Sequence, residues 1–100
     1  MMIGSDTVAP GVSFRHSITQ TYRVNIEVPE ELHQWTLAYG GNETAFDRAM
    51  AEAFAGNVAA GANLYSGHDE WADFRTFAEA EEARRLAVAV VTKYTQEALK

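Results

Sequence analysis

Hydrophobic and polar residues alternate without interruption from Phe14 to Val28. The even-numbered positions are mainly apolar and the odd-numbered positions are polar. A period of two is typical of a β-strand that buries one face. The segment Thr19-Gln20-Thr21 has none of the Gly, Pro or Asn-Gly signals of a tight hairpin turn. The pattern therefore predicts one long N-terminal strand.

The segment Ala9-Pro10-Gly11 is the only turn signal upstream of this strand. Two arrangements are open at this point. Residues 2–8 can fold back as a short partner strand, or the long strand pairs with another chain. Residues 1–12 are also a candidate flexible arm of what we expect to be a single domain, residues 1–100.

After Val28 the pattern changes from a period of two to helical spacing. Pro29 suits the first position of a helix, and the glutamates at positions 30 and 31 favour a helix N-terminus through the peptide dipoles. Leu32, Trp35 and Tyr39 then fall on one helical face, and two glycines at 40 and 41 indicate its end. These features predict a short first helix.

Asn42 is a favourable N-cap for a second, central helix. The residues that recur at helical spacing along it are Phe46, Met50, Ala53, Phe54, Asn57, Val58, Gly61 and Leu64. The pair Gly56-Asn57 indicates a kink or a full break in this helix.

Two capping-box patterns follow in the last third of the chain. The first, Ser66 to Asp69, predicts a short helix with Trp71 and Phe74 on one face. The second begins at Thr76 and predicts a longer helix whose apolar stripe is Ala83, Leu86, Ala87, Val90, Val91, Tyr94 and Ala98. The expected fold class is α+β, with one long N-terminal strand followed by three to five helices packed on one face.

The composition bounds the protein class. The chain has 100 residues, 47% of them hydrophobic, which suffices for one modest core. It contains no cysteine, which excludes a disulfide framework, a thiolate zinc site and a thiol nucleophile. It shows neither a leader pattern at the N-terminus nor an uncharged apolar run of membrane-spanning length. We therefore expect a cytoplasmic protein without a membrane partner.

Acidic residues outnumber basic ones. The 14 Asp and Glu residues against 8 Lys and Arg residues give a formal net charge of −6. Nucleic-acid affinity depends on clustered Lys and Arg that neutralise phosphates, and the only such cluster is the pair Arg84-Arg85. Charge therefore disfavours direct binding of DNA or RNA. An acidic surface favours a basic partner, although a solvated acidic face has the same composition.

No recognisable catalytic arrangement is present. His16, on the apolar face of the strand, is expected to be a core histidine. His68, Asp69 and Asp73 could hold a divalent cation if they shared a helical face, but such carboxylate pairs are frequent on ordinary surfaces. No serine has a nucleophile-elbow context. We expect no enzyme activity, no catalytic or metal-binding residue and no cofactor.

The run from Tyr22 to Leu32, followed by a glycine-ended helix and a second helix, resembles the ribbon-helix-helix family over residues 22–54. The resemblance implies a dimer whose paired strands enter the DNA major groove. It makes a dimeric DNA-binding repressor or antitoxin the alternative hypothesis. The nucleic-acid-binding residues that it implies are Thr21, Arg23, Asn25 and Asn42.

In general character the chain is also similar to small acidic anti-CRISPR and anti-restriction inhibitors of phages and mobile elements. Many such inhibitors cover the basic nucleic-acid channel of their target. The leading hypothesis is a non-enzymatic interaction protein, monomer or homodimer, that binds a basic protein or nucleoprotein complex. Six carboxylates within about four helical turns would then offer phosphate-like spacing to the partner. The protein-binding residues would be Asp69, Glu70, Trp71, Asp73, Glu79, Glu81 and Glu82.

Overall fold

The computed structural model of the chain describes residues 1–38, 40–63 and 68–100, without the side chains of residues 37, 38, 40–44 and 63. Within these residues the protein is α+β, but the predicted architecture of one long strand followed by helices is wrong. Five strands and three helices follow one another as β1 (Met2–Ala9), β2 (Val12–Ile18), β3 (Arg23–Val28), α1 (Glu30–Ala38), α2 (Gly40–Ala53), β4 (Ala59–Asn63), β5 (His68–Asp73) and α3 (Phe77–Ala98).

The predicted long strand is a hairpin of β2 and β3 that turns at residues 19–22. The Tyr22 N–H donates to the Thr19 carbonyl at 3.0 Å, and the Thr19 N–H donates to the Arg23 carbonyl at 2.9 Å. Tyr22 takes a φ of 62°, a left-handed conformation that normally favours Gly, Asn or Asp. Because a tyrosine occupies this position, no turn signal was visible.

The alternation passes through this turn without a break. His16 pairs with Ile26, and Ile18 pairs with Val24. Even-numbered positions therefore oppose even-numbered positions, and side chains that oppose each other lie on the same face of a sheet. The apolar face of β2 continues as the apolar face of β3, which made two strands look like one.

Residues 2–9 form a strand rather than a flexible arm. β1 pairs antiparallel with β2 through a turn at Pro10 and Gly11, where Gly11 has a φ of 79°. A glycine adopts this conformation without steric cost. Of the two arrangements that were open, the fold-back onto β2 is the one formed.

All five strands belong to one antiparallel sheet in the order β1-β2-β3-β5-β4. β3 lies at the centre and is hydrogen bonded to β2 on one side and to β5 on the other. β1 and β4 are the edge strands. An antiparallel sheet can bury one face and leave the other in water, provided that its residues alternate in polarity.

The core lies between the helices and the even-numbered side chains of the sheet. Its buried apolar residues are Phe14, Ile18, Val24, Ile26, Val28, Leu32, Phe46, Met50, Ala53, Phe54, Ala72, Phe74, Ala80, Ala83, Ala87 and Val91. His16 is buried among them, as predicted. Its Nε2 lies 3.1 Å from the Asp6 carboxylate, and its Nδ1 lies 3.4 Å from Nη1 of Arg84 on α3.

The central helix ends sooner than its pattern predicted. α2 stops at Ala53, and the turn that follows contains Gly56 with a φ of 87°. Gly56 therefore produces a full break. Residues 59–63, predicted to be helical, form β4, because pairing with β5 outweighs the weak local preference of Ala and Gly. Leu64 of the predicted stripe lies outside the described residues.

The short helix predicted after Ser66 is also wrong. His68–Asp73 form β5, which is paired on both sides, with β3 and β4. Ser66, the expected N-cap, lies outside the described residues. Trp71 and Phe74 do not share a face: Phe74 is buried, and Trp71 lies on the side of the sheet away from the core. Two ladders of backbone hydrogen bonds outweigh the local capping pattern.

α3 confirms the second capping-box prediction. Thr76 is the N-cap, and its Oγ1 accepts a hydrogen bond from the Glu79 N–H at 3.2 Å. The buried side chains of the helix are Ala80, Ala83, Ala87, Val91 and Thr95. Leu86, predicted to be in the apolar stripe, is 38% exposed. The buried face is thus rotated slightly from the predicted stripe and is made mostly of small residues.

Thr95→Val is expected to raise the free energy of unfolding by about 1 kcal/mol, measured by urea denaturation. Thr95 is fully buried, and its Oγ1 has no hydrogen-bond partner within the described part of the chain. Valine keeps the branched shape and removes the cost of a desolvated, unpaired hydroxyl. Thr92→Val, at a partly exposed position of the same helix, is the control and should change stability by less than about 0.5 kcal/mol. An equal gain from both variants would contradict this explanation.

Candidate functional site

No helix or strand of the described residues covers the face of the sheet opposite the helices. It carries the odd-numbered side chains, which keep part of their surface in water while the even-numbered residues from Phe14 to Val28 in β2 and β3 are buried. We call it the open face. Its main residues are Ile3, Ser5, Arg15, Ser17, Arg23, Asn25, Glu27, Asp69, Trp71 and Asp73.

Five residues form a row across all five strands of the open face. Ile3 lies opposite Ser17, which lies opposite Asn25. Asn25 in turn lies opposite Trp71, and Trp71 lies opposite Gly61 of the edge strand β4. The row therefore joins two large apolar side chains, Ile3 and Trp71, through small polar residues.

The indole of Trp71 is held between Gly61 and Arg23. A Cβ at position 61 would lie 2.8 Å from Trp71 Cζ2, so the indole covers the backbone of β4 where no side chain stands. On its other side, the guanidinium carbon of Arg23 lies 3.9 Å from the ring centroid, within cation–π range. The position of Trp71 in β5 places its ring on the open face, and the absence of a side chain at Gly61 leaves the space in which the ring lies.

Arg23 is fixed in turn by Asp73, its direct cross-strand partner. The Arg23 Nε and Nη2 donate to the two carboxylate oxygens at 2.7 and 3.0 Å. This bidentate pair holds the pKa of Asp73 below its ordinary value. The charge of Arg23 is therefore largely satisfied within the protein.

A second row of the open face contains two like charges. Glu27 and Asp69 are direct cross-strand partners on β3 and β5. Burial, and secondly the charge of Glu27, raise the pKa of Asp69 above its ordinary value. Arg15 Nε donates to Glu27 Oε2 at 3.4 Å, whereas Asp69 takes part in no ion pair within the described residues. One cation thus faces two carboxylates.

A depression of about 310 Å³ lies over this part of the open face. Its lining includes Ile3, Arg15, Ser17, Asn25, Glu27 and Asp69. Ile3 is 68% exposed, so an apolar side chain stands in water at the β1 side of the depression that the like-charged pair also lines. This arrangement can receive a cationic side chain that also brings apolar surface.

The open face brings together residues from both sequence-based hypotheses. Arg23 and Asn25 were predicted to contact DNA, and Asp69, Trp71 and Asp73 were predicted to contact a protein. All five lie on this one surface, on the adjacent strands β3 and β5. The alternation in β3 already placed Arg23 and Asn25 on one face. Because a helix was predicted where β5 forms, the sequence did not indicate that Asp69, Trp71 and Asp73 lie on the same face.

The expected grouping of six carboxylates on about four helical turns is wrong, because β5 is a strand. Glu70 points to the opposite face of the sheet from its two neighbouring aspartates on β5. Glu79, Glu81 and Glu82 belong to the first turns of α3. Glu79 and Glu82 line a groove of about 490 Å³ between α2 and α3, and Arg85 pairs with Glu82. The acidic residues therefore lie on three separate surfaces.

Glu70 belongs to a cluster on the helix side of the sheet. Its Oε1 lies 3.2 Å from His68 Nε2, and the His68 ring stacks on that of His33 in α1 with centroids 5.1 Å apart. Burial, with a smaller contribution from Asp47 of α2, raises the pKa of Glu70 to about 7. The cluster joins α1 to β5 and contains a carboxyl group that titrates near neutral pH.

The metal ligands considered from the sequence do not meet. Successive side chains of a strand point to opposite faces, so His68 lies on the helix side while Asp69 and Asp73 lie on the open face. In residues 1–38, 40–63 and 68–100, no three His, Asp or Glu side chains are arranged to hold a metal ion. Within the same ranges, no helix combines the length and the apolar character needed to cross a membrane.

The ribbon arrangement of the DNA-binding hypothesis requires a free edge on β3. Both edges of β3 are hydrogen bonded within the chain. Thr21 lies in the β2–β3 turn, Arg23 is bound to Asp73, and Asn42 lies in α2 with its side chain outside the described residues. In the ribbon-helix-helix family the DNA-binding strand pairs with the same strand of a second copy. Here β3 pairs with β2 and β5 of its own chain, so the resemblance over residues 22–54 does not include that pairing.

Sequence reasoning missed five residues of the open face: Ile3, Ser5, Arg15, Ser17 and Glu27. The alternation from residue 14 to 28 already placed Arg15, Ser17 and Glu27 on the same face as Asn25, which was the available signal. Ile3 had no such signal, since only its pairing with Ser17 shows which face it occupies.

Comparisons with known proteins add no relative from which a function could be inferred. No protein-family model matches the chain, and no curated protein or solved structure matches it.

Proposed function

We propose that this chain is a non-enzymatic interaction protein that binds a basic segment of a protein partner through the open face. The observation that carries the proposal is the direct opposition of Glu27 and Asp69 in a depression that the exposed Ile3 also lines. Like charges at opposed positions of two strands destabilise a sheet. A Lys or Arg side chain of the partner, placed between the two carboxylates, would relieve that repulsion and gain two charge-assisted hydrogen bonds.

The charges of the open face favour a protein partner over a nucleic acid. Both of its arginines already pair with carboxylates, Arg15 with Glu27 and Arg23 with Asp73. The third carboxylate, Asp69, leaves the face net negative. A phosphate backbone would meet repulsion here, whereas a cationic side chain would be attracted.

Apolar contact on the open face adds to this charge complementarity. In the row that runs from Ile3 to Gly61, the two large apolar side chains are Ile3 and Trp71, with Ser17 and Asn25 between them. Aromatic and Arg side chains dominate the energetics of protein interfaces, and the Arg23–Trp71 contact presents both in a fixed geometry. The open face therefore suits a flat or extended partner segment with a basic residue near its middle.

We also propose that the partner is a protein that handles nucleic acid, as the targets of small acidic phage inhibitors are. The net charge of −6 and the carboxylate of Asp69, which forms no ion pair with any described residue, support this class, because cations that bind phosphate also bind carboxylates. With such a target, binding of this chain and of the target's own nucleic acid should be mutually exclusive. Simultaneous binding of both would contradict the inhibitor proposal and leave the basic-segment proposal standing.

Asp69→Asn is expected to weaken the binding of a lysine-rich peptide by roughly fivefold, about 1 kcal/mol, at low salt. The substitution removes the charge and keeps the shape of the side chain. Titration of isotopically labelled protein with the peptide, followed by amide chemical shifts, measures the affinity and maps the contact. The shifts should concentrate at Arg15, Glu27 and Trp71.

The matched control is Glu52→Gln, which makes the same change in net charge at an exposed position of α2. Its affinity for the peptide should stay within about twofold of that of the unmodified protein. An equal loss in both variants, or shifts confined to α2 and α3, would show that the peptide responds to overall charge and would contradict the proposed site.

A further inference from the structure

The outer edge of β1 has no partner strand among the described residues. β1 is the first strand of the sheet, so one row of its backbone N–H and C=O groups faces away from the other described strands. Proteins usually protect such an edge with Lys, Pro, a β-bulge or an inward-turned charge. β1 contains neither Lys nor Pro, its register irregularity lies near its end, between Thr7 and Ala9, and the carboxylate of Asp6 is held by the buried His16 at 3.1 Å. From Met2 to Thr7 the edge is therefore a regular strand whose one charge is bound within the chain, and it is open to another strand.

Apolar side chains concentrate at this edge. Met1 and Ile3, at 79% and 68%, are the most exposed large hydrophobic residues of the described chain. On the helix side, Met2 and Val8 pack partly against the core and stop at the boundary of the sheet. The other edge strand, β4, is shorter and consists of Ala, Gly and Asn. β1 is thus the edge with apolar surface on both faces.

We propose that two copies of this chain pair antiparallel through β1 about a two-fold axis at Ser5. In this register Met2 lies opposite Val8 of the second copy, and Ile3 lies opposite Thr7. Gly4 lies opposite Asp6, so each carboxylate meets a residue without a side chain. The two cores become continuous through the Met2–Val8 contacts, and the two sheets form one sheet of ten strands.

Charge and polarity select this register over its neighbours. A register shifted two residues in one direction sets Asp6 against Asp6, and like charges directly opposite destabilise strand pairs. A shift in the other direction sets Met2 against Asp6, which buries an apolar side chain against a carboxylate. A register shifted by an odd number of residues would place the odd-numbered side chains of one copy opposite the even-numbered side chains of the other. The open face of one copy would then continue as the helix side of its neighbour. The proposed pairing therefore needs a second copy of this strand and no other partner.

The register is testable because the chain contains no cysteine. Ser5→Cys places two thiols opposite each other on the axis, with Cα atoms about 5 Å apart, a distance that a disulfide spans. Mild oxidation should convert most of this variant to a covalent dimer. Thr7→Cys, on the same face, places the two thiols more than about 13 Å apart and should give at least tenfold less covalent dimer. Equal cross-linking of the two variants would overturn the register.

Sedimentation of the full chain tests the pairing itself. The unmodified protein should sediment as a dimer, and Ser5→Lys, which puts two ammonium groups on the axis, should shift it to monomer. Ser13→Lys, with the same charge change on the neighbouring strand β2, should remain dimeric. Circular dichroism shows whether each variant is folded. A monomeric unmodified protein at every concentration, or equal dissociation by both lysine variants, would overturn the proposal, and neither result bears on binding at Glu27 and Asp69.

Discussion

Glu70→Gln is expected to raise the free energy of unfolding by about 2 kcal/mol near pH 8 and to change it little near pH 4. The pKa of Glu70 is about 7 in the folded protein against 4.5 in an unperturbed chain. Between these values the folded protein holds more protons than the unfolded chain, so the contribution of Glu70 to stability is lost as the pH rises through this window. Glutamine has no charge to bury at any pH. The full shift corresponds to about 3 kcal/mol, and the 15% exposure of the side chain reduces it.

Urea denaturation of Glu70→Gln and of the unmodified protein between about pH 4 and pH 8 measures how the difference in their free energies of unfolding depends on pH. Asp73→Asn is the control, because it removes a carboxylate from the same strand whose pKa is lowered instead, by Arg23. Asp73 stabilises the fold above its ordinary pKa of 3.8 and loses that contribution as the pH falls, so its replacement should destabilise the protein most at neutral pH. A difference between Glu70→Gln and the unmodified protein that stays flat from about pH 5 to pH 7 would contradict burial of the Glu70 charge.

Glu70 helps to anchor the strand that presents part of the open face. Glu70 lies between Asp69 and Trp71 on β5, with its own side chain on the helix side. When it is neutral, its O–H can donate to His68 Nε2; when it is ionised, it must accept a hydrogen bond from the same nitrogen. Both arrangements hold β5 against α1 through the stacked rings of His33 and His68. In either protonation state of Glu70, the strand that presents the proposed contact residues is therefore anchored from the helix side by the Glu70–His68 contact.

Local patterns predicted the elements that local physics determines. α3 begins where Thr76 can cap it, and α1 follows Pro29 and two glutamates, because these preferences act within a single turn. The buried face of β2 and β3 was also correct, since alternation assigns faces regardless of where the chain turns. The turn itself was missed because Tyr22 occupies a left-handed position without a residue type that indicates it.

Strands β4 and β5 could not be predicted from local preference. Ala59–Asn63 has a composition as suitable for a helix as for a strand, and His68–Asp73 is rich in acidic residues that strands disfavour. Their strand conformation comes from pairing: β4 pairs with β5, and β5 also pairs with β3, at residues about 40 to 50 positions earlier in the chain. The open face depends on this long-range pairing, so the meeting of Asn25 with Trp71 and of Glu27 with Asp69 could not be read from the sequence.

Gly4→Ala is expected to lower the free energy of unfolding by about 2 kcal/mol, although replacing glycine within a strand is stabilising where space allows. A Cβ at position 4 would lie 2.6 Å from His16 Cε1. The imidazole has little freedom to move, because it is 7% exposed and its nitrogens contact Asp6 and Arg84. Arg84 connects α3 to the β1–β2 hairpin through this ring, so displacing the ring would loosen the attachment of the helix.

A double-mutant cycle isolates this contact. In a His16→Ala background the ring is absent, and Gly4→Ala should then raise the free energy of unfolding by about 0.5 kcal/mol, because alanine loses less backbone entropy than glycine on folding. Ser5→Ala, the next residue along β1 on the open face, should stay within about 0.5 kcal/mol of the unmodified protein. All five proteins, the four of the cycle and Ser5→Ala, are compared at one concentration, since pairing through β1 would add to stability by mass action. Equal destabilisation by Gly4→Ala in both backgrounds would show that the close approach of His16 to the β1 backbone is not its cause.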